Sequence, residues 1–415
     1  MKRRWSLLLL VVILMTGSAL PVAARGQPAP GCPGTDEVIS YLKLCRTVRE
    51  QYRDRCGWLW PAPAPPAVSP VARRAPDASQ IKGLYITYYG LGSKLLRDRV
   101  KELLETTELN AVVMDLKGDR GRLAFPTQVE LAQEIKADEK PMIQDPAEFL
   151  AWFQKQEIYT IARIVVFKDE PLAVAHPEWA VKDAETAEIW RDGEGLGWVD
   201  PSRVEVWDYA IALTVEAAAL GFDEIQFDYV RFPTDGVISR ATFAVENTQE
   251  NRVQAITGFL ARAQEALKPY DVRLAADVFG YTTWRQDDMG IGQQIEAMAP
   301  YLDVISPMLY PSTFADGLPG TTDFNPAIAY PYDIVYRSTA RAVARVQAVN
   351  PAIVVRPWIQ DFPDYAFDGR AYTAEDVRLQ MTAAIDAGAQ GWMLWDPRVK
   401  YTPDALDPAE APVPP

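Results

Sequence analysis

The chain has 415 residues, 48% of them hydrophobic, which is enough to bury a sizeable core. Its 42 basic and 56 acidic residues give a formal net charge of -14. That charge opposes the counterion release that drives proteins onto nucleic acid, so we expect no nucleic-acid partner.

The first 24 residues have the order of a secretory signal peptide. Basic residues at positions 2–4 precede an apolar run from Leu7 to Met15, and small residues follow around Ala24. The run is shorter than the roughly 20 residues that span a bilayer, which favours cleavage over a retained anchor. We therefore predict a secreted or extracytoplasmic protein with no membrane span in its mature form.

Residues 25–60 are predicted to contain a short helix, and residues 61–80 form a linker rich in Pro and Ala. The three cysteines of the chain, Cys32, Cys45 and Cys56, all lie in this short helical segment. In an oxidising compartment two of them could pair and one would be left over. Their spacing lacks the C-x-x-C pairs of a zinc site, so we expect a structural role and no metal.

From residue 81 the chain alternates short apolar or β-branched runs with helices. We predict eight strands: Lys82–Thr87, Ala111–Lys117, Tyr159–Phe167, Asp223–Val230, Val272–Phe279, Asp303–Tyr310, Ala352–Ile359 and Gly391–Trp395. Alternation of strands and helices implies parallel pairing, and a closed (β/α)8 TIM-like barrel over residues 81–402 is the simplest solution. An open doubly wound sheet is the rival, but no G-x-G-x-x-G follows a strand.

Several helix ends carry recognisable signals. Asp145 and Asp200 are each followed by Pro, and both are predicted N-caps. Thr373 and Asp376 have the spacing of a capping box, and Gly221 is predicted to end the helix before the fourth strand. Residues 403–415 form a Pro-rich tail, so either that tail or the segment before the linker must cover the place of an eighth helix.

The stretch GFDEIQFDYVRFP, residues 221–233, places Glu224, Gln226 and Asp228 at every second position of a predicted strand. In a barrel this alternation sends Ile225 and Phe227 outward and the polar residues toward the axis. Asp228 is the last inward acid before the loop, at the strand end where barrel enzymes carry their active sites.

The same parity brings further charged residues to that end of the barrel. Asp277 ends the fifth strand, and Asp115 with Lys117 end the second. Each acid has a structural alternative, since Asp228 could pair with Arg231, Asp277 could cap a loop, and Asp115 could pair with Lys117 or Arg163. Their convergence on one rim favours function.

One histidine, His176, limits the chemistry that the chain can perform. It precedes Pro177 in a predicted loop, where a structural role is favoured, and three-histidine zinc sites and H-E-x-x-H are absent. A Schiff base on Lys117 or Lys168 lacks a neighbouring phosphate-binding loop. The polar chemistry is therefore predicted to depend on carboxylates, without a cofactor.

Aromatic residues fall at or just after the predicted strand ends. Sugar rings stack on aromatic faces, so carboxylates ringed by Trp and Tyr suit a carbohydrate cleft. The predicted substrate-binding residues are Gln226, Arg231, Asp115, Tyr88, Trp284, Tyr310, Trp358, Trp395 and Asp396. The loop from Lys168 to Asp200, with its three tryptophans, is predicted to wall the cleft.

Eight segments together resemble a bacterial putative glycoside hydrolase family first catalogued as a domain of unknown function. They are KGLYIT, NAVVMDLKGDRG, ARIVVFKD, HPEWAV, the run from WVDPSR through GFDEIQFDYVRFPTDG, AADVFGYTTW, ISPMLYPS and GWMLWDP. The resemblance extends from about Ile81 to Tyr401. It implies a TIM-like barrel related to glycoside hydrolases, with Asp228 matching the fourth-strand acid that such enzymes use.

The prediction is a secreted glycosidase that acts on a polysaccharide or oligosaccharide, with Asp228 as nucleophile and Asp277 as general acid/base. One alternative is a non-catalytic carbohydrate-binding barrel associated with the cell wall. Another is a divalent-metal hydrolase that uses Asp115, Asp228, Asp277 and Asp396, although a site made only of oxygen ligands is less selective.

Overall fold

The computed structural model describes residues 80–409, which form a parallel (β/α)8 barrel and confirm the predicted fold class. The predicted signal peptide, helical segment with its three cysteines, and linker lie outside the described residues. The barrel strands are β1 Ile81–Ile86, β2 Ala111–Lys117, β3 Tyr159–Val165, β4 Glu224–Asp228, β5 Arg273–Phe279, β6 Val304–Met308, β7 in two segments, Val354–Val355 and Trp358–Gln360, and β8 Gly391–Trp395.

Each strand pairs in parallel with the next strand along the chain, and β1 pairs with β8 to close the barrel. β6 bonds both segments of β7, which are separated by Arg356 and Pro357. At the closure, Gly391 lies opposite Ile81 and has a φ of 96°. The two strands approach so closely there that only glycine fits.

Residues inside and outside the barrel follow the predicted alternation. Ile225 and Phe227 belong to the large apolar layer between the strands and the helices. A smaller apolar cluster inside the barrel includes Val113, Ile161 and Trp358. Because side chains alternate in direction along each strand, one set packs in an outer core and the other set fills the barrel interior.

The helices that surround the barrel differ in length. They are α1 Tyr88–Gly92, α2 Lys94–Thr106, α3 Glu130–Glu134, α4 Pro146–Lys155, α5 Glu170–Ala175, α6 Val204–Leu220, α7 Gln249–Leu267, α8 Ile295–Met298, α9 Pro331–Gln347 and α10 Ala374–Asp386. Among these described helices, every one is too short or too polar to cross a bilayer.

Most of the predicted helix ends are present. Asp145 caps α4 by accepting a hydrogen bond from the Glu148 N–H, and Thr373 forms its capping box with Asp376 at the start of α10. The prediction that Asp200 caps the next long helix is wrong, because α6 begins later, at Val204. The Asp200 carboxylate instead accepts hydrogen bonds from Ser202 and from the Ala244 N–H of a distant loop.

The predicted inward position of Lys117 is also wrong. The register between β2 and β3 shifts between Asp115 and Lys117, and this irregularity breaks the alternation. Lys117 Nζ lies 2.5 Å from the Asp169 carboxylate and 5.4 Å from the ring of Tyr209 on α6, in the outer layer. Lys117 is therefore a buried structural cation behind the barrel wall.

Two irregular regions complete the barrel. The loops after β3 and β4 are joined by a short antiparallel ribbon between Lys182–Asp183 and Ala241–Thr242. After β8 no long helix follows among the described residues; instead Ala405 and Leu406 are buried in the outer core. The irregular tail thus covers the place of the eighth helix, as one of the two sequence-based alternatives proposed.

Candidate active site

Charged and aromatic side chains meet inside the barrel at the carboxyl ends of the strands. We call this group the mouth cluster, and its members are Tyr85, Asp115, Arg163, Asp228, Asp277, Trp358 and Trp395. Each comes from a barrel strand, and the seven come from seven different strands. The alternation along each strand turns them toward the axis, which is how the fold assembles residues that are distant in sequence.

Arg163 on β3 is the centre of the mouth cluster. Its Nη1 donates to Asp115 Oδ1 at 2.6 Å, while its Nη2 donates to Asp228 Oδ2 at 2.6 Å. The guanidinium carbon also lies 5.2 Å from the centroid of the Trp395 ring. The arginine is 1% exposed, so its charge offsets two carboxylates in a medium where unpaired ions are costly.

Asp115 on β2 is held from several directions. Its Oδ2 accepts hydrogen bonds from the hydroxyl of Tyr85 at 2.7 Å and from the N–H of Tyr88 at 2.8 Å. Burial raises the pKa of Asp115 to about 6, against the opposing effect of Arg163. The arginine pairing is one of the two structural alternatives expected for Asp115.

Asp228 is the last residue of β4 and is 6% exposed. Its Oδ2 accepts from both Nε and Nη2 of Arg163, and its Oδ1 accepts from the N–H of Tyr229 at 2.6 Å. Tyr229 has a φ of 49°, an uncommon conformation for a residue with a side chain. These contacts hold the Asp228 carboxylate at the strand end, and its cation is Arg163, where the sequence suggested Arg231.

Asp277 on β5 is in a different environment. It is 1% exposed, and its Oδ1 accepts a hydrogen bond from Trp358 Nε1 at 2.7 Å. Its Oδ2 is buried and has no hydrogen-bond partner in the structure. Burial, followed by the negative charge of Asp228, raises the pKa of Asp277 well above its ordinary value. The raised pKa favours the protonated form of this carboxyl.

Asp228 and Asp277 stand on neighbouring strands in matching positions. β4 and β5 are paired in parallel, with Phe227 opposite Ala276, and the next position along each strand is an aspartate. Paired strands lie about 4.8 Å apart. The mouth cluster thus holds one carboxylate bound to arginine beside one carboxyl whose pKa is raised by burial, an arrangement that suits acid-assisted nucleophilic chemistry.

Aromatic rings line the same interior. Tyr85 stacks on Trp395 with a centroid distance of 4.0 Å, and Trp358 meets both rings edge-on. Tyr310, which follows β6, lies 6.4 Å from Trp395 and is 7% exposed. Burial, followed by the charges of Asp277 and Asp228, raises the pKa of Tyr310.

Two predicted substrate-binding residues lie near Asp228, Gln226 inside the barrel and Arg231 in the loop after β4. Gln226 is fully buried one inward position below it, where its Nε2 donates to Ser306 Oγ at 3.2 Å. Arg231 lies in the following loop, 4.9 Å from the Tyr229 ring and 5.0 Å from the Trp198 ring. Gln226 supports the floor of the barrel interior, and Arg231 packs into the adjoining wall.

Three other predicted residues are not brought into the mouth cluster. Trp284 donates from Nε1 to Ser338 Oγ on α9, so it packs between a loop and a helix. Asp396 is buried and pairs with Arg398 two residues later, which stabilises a local turn. Tyr88 contributes its backbone N–H to Asp115 and directs its hydroxyl to the carbonyl of Lys140.

The loop expected to wall the cleft has two buried tryptophans, Trp190 and Trp198. Trp198 donates from Nε1 to Asp192 at 3.0 Å, and Trp190 donates to the carbonyl of Val237. His176 stacks on Trp179 with centroids 4.0 Å apart, and its Nδ1 lies 3.0 Å from Glu178. These tryptophans pack in the interior of the loop, while His176 lies on its outer side.

Two residues of the site were not singled out by their sequence. Arg163 was named only as one pairing option for Asp115, although the alternation along β3 turns it inward. Asp119, four residues beyond Asp115, accepts from Arg163 Nη2 at 3.0 Å, and its side chain is 46% exposed. Nothing in the motif NAVVMDLKGDRG distinguishes Asp119 from an ordinary loop aspartate.

The carboxylates proposed for the metal alternative are bonded to other groups. Asp115 and Asp228 pair with Arg163, and Asp396 pairs with Arg398. Over residues 80–409, no set of three His, Cys, Asp or Glu side chains has the geometry of a metal site. The arrangement favours proton transfer and charge stabilisation by the side chains themselves.

A parallel barrel with acids at its carboxyl end defines the class of TIM-barrel proteins that includes glycoside hydrolases. The model of the family described as "Putative glycosyl hydrolase domain" matches residues 83–401, and the chain belongs to that family. No curated protein matches the chain significantly.

Two solved structures show the same fold. The glycoside hydrolase domain of PgaB from Bordetella bronchiseptica is 15% identical, with a TM-score of 0.54 over 79% of this chain and 99% of that one. A beta-galactosidase from Marinomonas ef1 is 12% identical, with a TM-score of 0.54 over 79% and 58%. A hypothetical protein from Ruminiclostridium thermocellum is 36% identical over 47% of this chain and 97% of that one, with a TM-score of 0.41.

Proposed function

We propose that this chain is a secreted glycoside hydrolase that cleaves a polysaccharide or oligosaccharide by a two-carboxylate mechanism. One observation carries the proposal: the buried carboxyl of Asp277, which has an unpartnered oxygen and a raised pKa, is on the strand next to the arginine-bound carboxylate of Asp228. Membership of the glycosyl hydrolase family supports the reaction class. The signal-like sequence of residues 1–24 supports secretion.

In this mechanism Asp228 attacks the anomeric carbon while Asp277 gives its proton to the glycosidic oxygen, and the bond between that carbon and oxygen breaks. Asp277, now ionised, then takes a proton from water, which attacks the anomeric carbon and releases Asp228. Retaining enzymes separate their carboxyl groups by about 5–5.5 Å. The spacing of paired strands fits that separation, so the proposal includes retention of configuration.

Arg163 has a positioning role in this proposal. Its two hydrogen bonds to Asp228 orient that carboxylate, and the guanidinium supplies the positive charge that offsets a buried anion. Trp395, which stacks on Tyr85 and is partly exposed, offers an aromatic face to a sugar ring.

A second candidate function is a non-catalytic carbohydrate-binding barrel. The observation that favours it is the burial of both acids, since Asp277 is 1% exposed and both oxygens of Asp228 are already bonded within the protein. Such a barrel would use the aromatic rings and would need no proton transfer.

A polysaccharide screen distinguishes the two functions. Wild type, Asp228→Asn, Asp277→Asn and Asp271→Asn are incubated with bacterial and plant polysaccharides, and reducing ends and released oligosaccharides are measured. We expect turnover by wild type and by the control Asp271→Asn, whose exposed aspartate lies before the opposite end of β5. Asp228→Asn should lower kcat by at least about 10³-fold, and Asp277→Asn by about 10²–10⁴-fold.

The stereochemistry of the product tests the mechanism separately. Proton NMR of the fresh product should show the anomeric configuration of the substrate. Turnover that survives Asp228→Asn would refute the assignment of the nucleophile. Glycan binding without product from any polymer, unchanged in both variants, would support the binding barrel instead.

A further inference from the structure

A groove of about 560 Å³ lies on the side of the barrel formed by β1, β2 and β3. Its lining includes Tyr89 after β1, Arg120 and Arg122 after β2, and residues of α5 after β3. Loops that follow parallel strands share the end of the barrel that carries the mouth cluster. Asp119, which bonds Arg163, directly precedes Arg120, so the loop after β2 contacts the mouth cluster and also lines the groove.

The groove carries positive charge in an acidic protein. Three cations line it, Arg120, Arg122 and Lys136, together with the acids Glu134 and Glu170. The charge of Glu170 is compensated from outside the groove, because Arg191 Nη1 donates to both of its carboxylate oxygens at 2.9 and 2.8 Å. Glu139, also outside the groove, lies 3.9 Å from Arg122, so the three cations and two acids of the lining leave a small excess of positive charge in a chain whose net charge is -14.

Two features give the groove the form of a site for an acidic sugar. Arg122 Nη1 donates to the carbonyl of Lys136 at 2.6 Å, which ties together two of the segments that carry the cations. Tyr89 is 68% exposed, and its ring meets Tyr88 edge-on at 5.1 Å. An exposed aromatic face suits a sugar ring, and fixed guanidinium groups suit carboxylate or sulfate oxygens.

We propose that this groove binds the acidic groups of a glycan, so that the substrate class is an acidic polysaccharide or oligosaccharide. The inference rests on the proposed function, because the groove would bind part of the same glycan that is cleaved at the mouth cluster. A volume of this size accommodates one or two sugar units. The acidic units would lie beside the β1–β3 loops while the scissile bond lies over Asp228.

Binding measurements on Asp228→Asn test this inference without turnover. The probes are oligogalacturonate and its neutral methyl ester, and κ-carrageenan oligosaccharide and its desulfated form, each titrated by calorimetry at low and high salt. The test variant adds Arg120→Gln, Arg122→Gln and Lys136→Gln. The matched control adds Lys94→Gln, Lys155→Gln and Lys268→Gln, which remove the same charge from exposed helix positions elsewhere.

We expect at least one acidic probe to bind more tightly than its neutral form, with an affinity that falls as salt rises. The test variant should lose about tenfold in affinity for that probe, and the control variant should keep it. Preference for oligogalacturonate would identify carboxylate as the bound group, and preference for carrageenan would identify sulfate.

Equal binding of acidic and neutral forms, an equal loss in test and control variants, or no binding of either acidic probe would overturn the inference. These outcomes are separate from the fate of the proposed function, because hydrolysis of a neutral glycan would leave the reaction class intact while removing the acidic substrate class.

Discussion

At the scale of single residues, Arg163 shows that alternation along a strand predicts which side chains face the site but not how they pair. The period of two turns Arg163, Asp115 and Asp228 toward the barrel axis, and that much follows from the sequence. The pairing of each acid with a cation depends on distances between side chains on three strands. The spacing of residues along the sequence does not give those distances. The sequence offered Arg231 as the partner of Asp228 and either Lys117 or Arg163 as the partner of Asp115, and the structure pairs both acids with Arg163.

The protonated state of Asp277 predicts a pH dependence of stability. The folded protein keeps this proton above the ordinary carboxyl pKa, whereas the unfolded chain releases it, so the free energy of unfolding decreases as pH rises toward the folded pKa. Asp277→Asn replaces the titrating carboxyl by a neutral amide, whose oxygen can still accept the hydrogen bond from Trp358. The variant should therefore gain stability relative to wild type by up to about 1.4 kcal/mol per pH unit.

Urea unfolding of wild type and Asp277→Asn from pH 4 to pH 8 checks this expectation. The difference between the two curves should widen with pH, while Asp271→Asn, which changes an exposed aspartate, should follow wild type throughout. A difference that stays constant over the range would show that Asp277 does not hold its proton.

At the scale of elements, the sequence predicts the eight strands and most helix ends, and it fails where the backbone departs from regularity. The irregularity between Asp115 and Lys117 reverses the direction of the lysine, and no residue type in AVVMDLK signals it. Similarly, Asp200 has the residue pattern of an N-cap, but the Ala244 N–H from another loop binds its carboxylate. Tertiary contacts override local preference in both places.

Gly391 predicts how strongly the barrel closure depends on one position. A Cβ at this residue would lie 2.0 Å from the carbonyl oxygen of Ile81, and the φ of 96° disfavours any side chain. Gly391→Ala should therefore lower the free energy of unfolding by about 3 kcal/mol or more, because steric overlap adds to backbone strain.

Gly388→Ala provides the control for that measurement. Gly388 has a similar φ of 90°, but the nearest atom to an added Cβ is a methyl group of Val343 at 3.8 Å. Gly388→Ala should lower the free energy of unfolding only by the backbone strain, about 1–2 kcal/mol, in the same denaturant titration. Equal losses in the two variants would mean that the contact between β1 and β8 relaxes freely.

At the scale of the whole molecule, the barrel has an irregular segment in place of its last helix. Leu406 and Ala405 are buried in the outer core, the N–H of Asp407 donates to Glu108, and the carbonyl of Asp407 accepts from the Glu108 N–H. The high Pro content of this tail excludes a helix by sequence alone. Its docking against the segment after α2 could not be predicted, because it depends on the surface that the other elements leave uncovered.

Truncation tests the contribution of this tail. A chain that ends at Thr402 loses the buried side chain of Leu406 and the hydrogen bonds of Asp407, so its Tm should fall by about 5 °C. A chain that ends at Ala409 keeps all of these contacts and should retain the Tm of the full chain. An unchanged Tm in the shorter chain would show that the tail adds nothing to stability.

The same tail has a consequence for how the molecule can be attached to a support. Gln80 bonds Asn110 just before β2, and the N–H of Ala409 bonds the carbonyl of Thr106 a few residues earlier. Both ends of the described chain therefore emerge at the amino ends of the strands, opposite the mouth cluster. A tether or affinity tag at either of these positions lies on the side away from the mouth cluster, so the carboxyl end of the barrel stays accessible to a polymer too large or insoluble to diffuse.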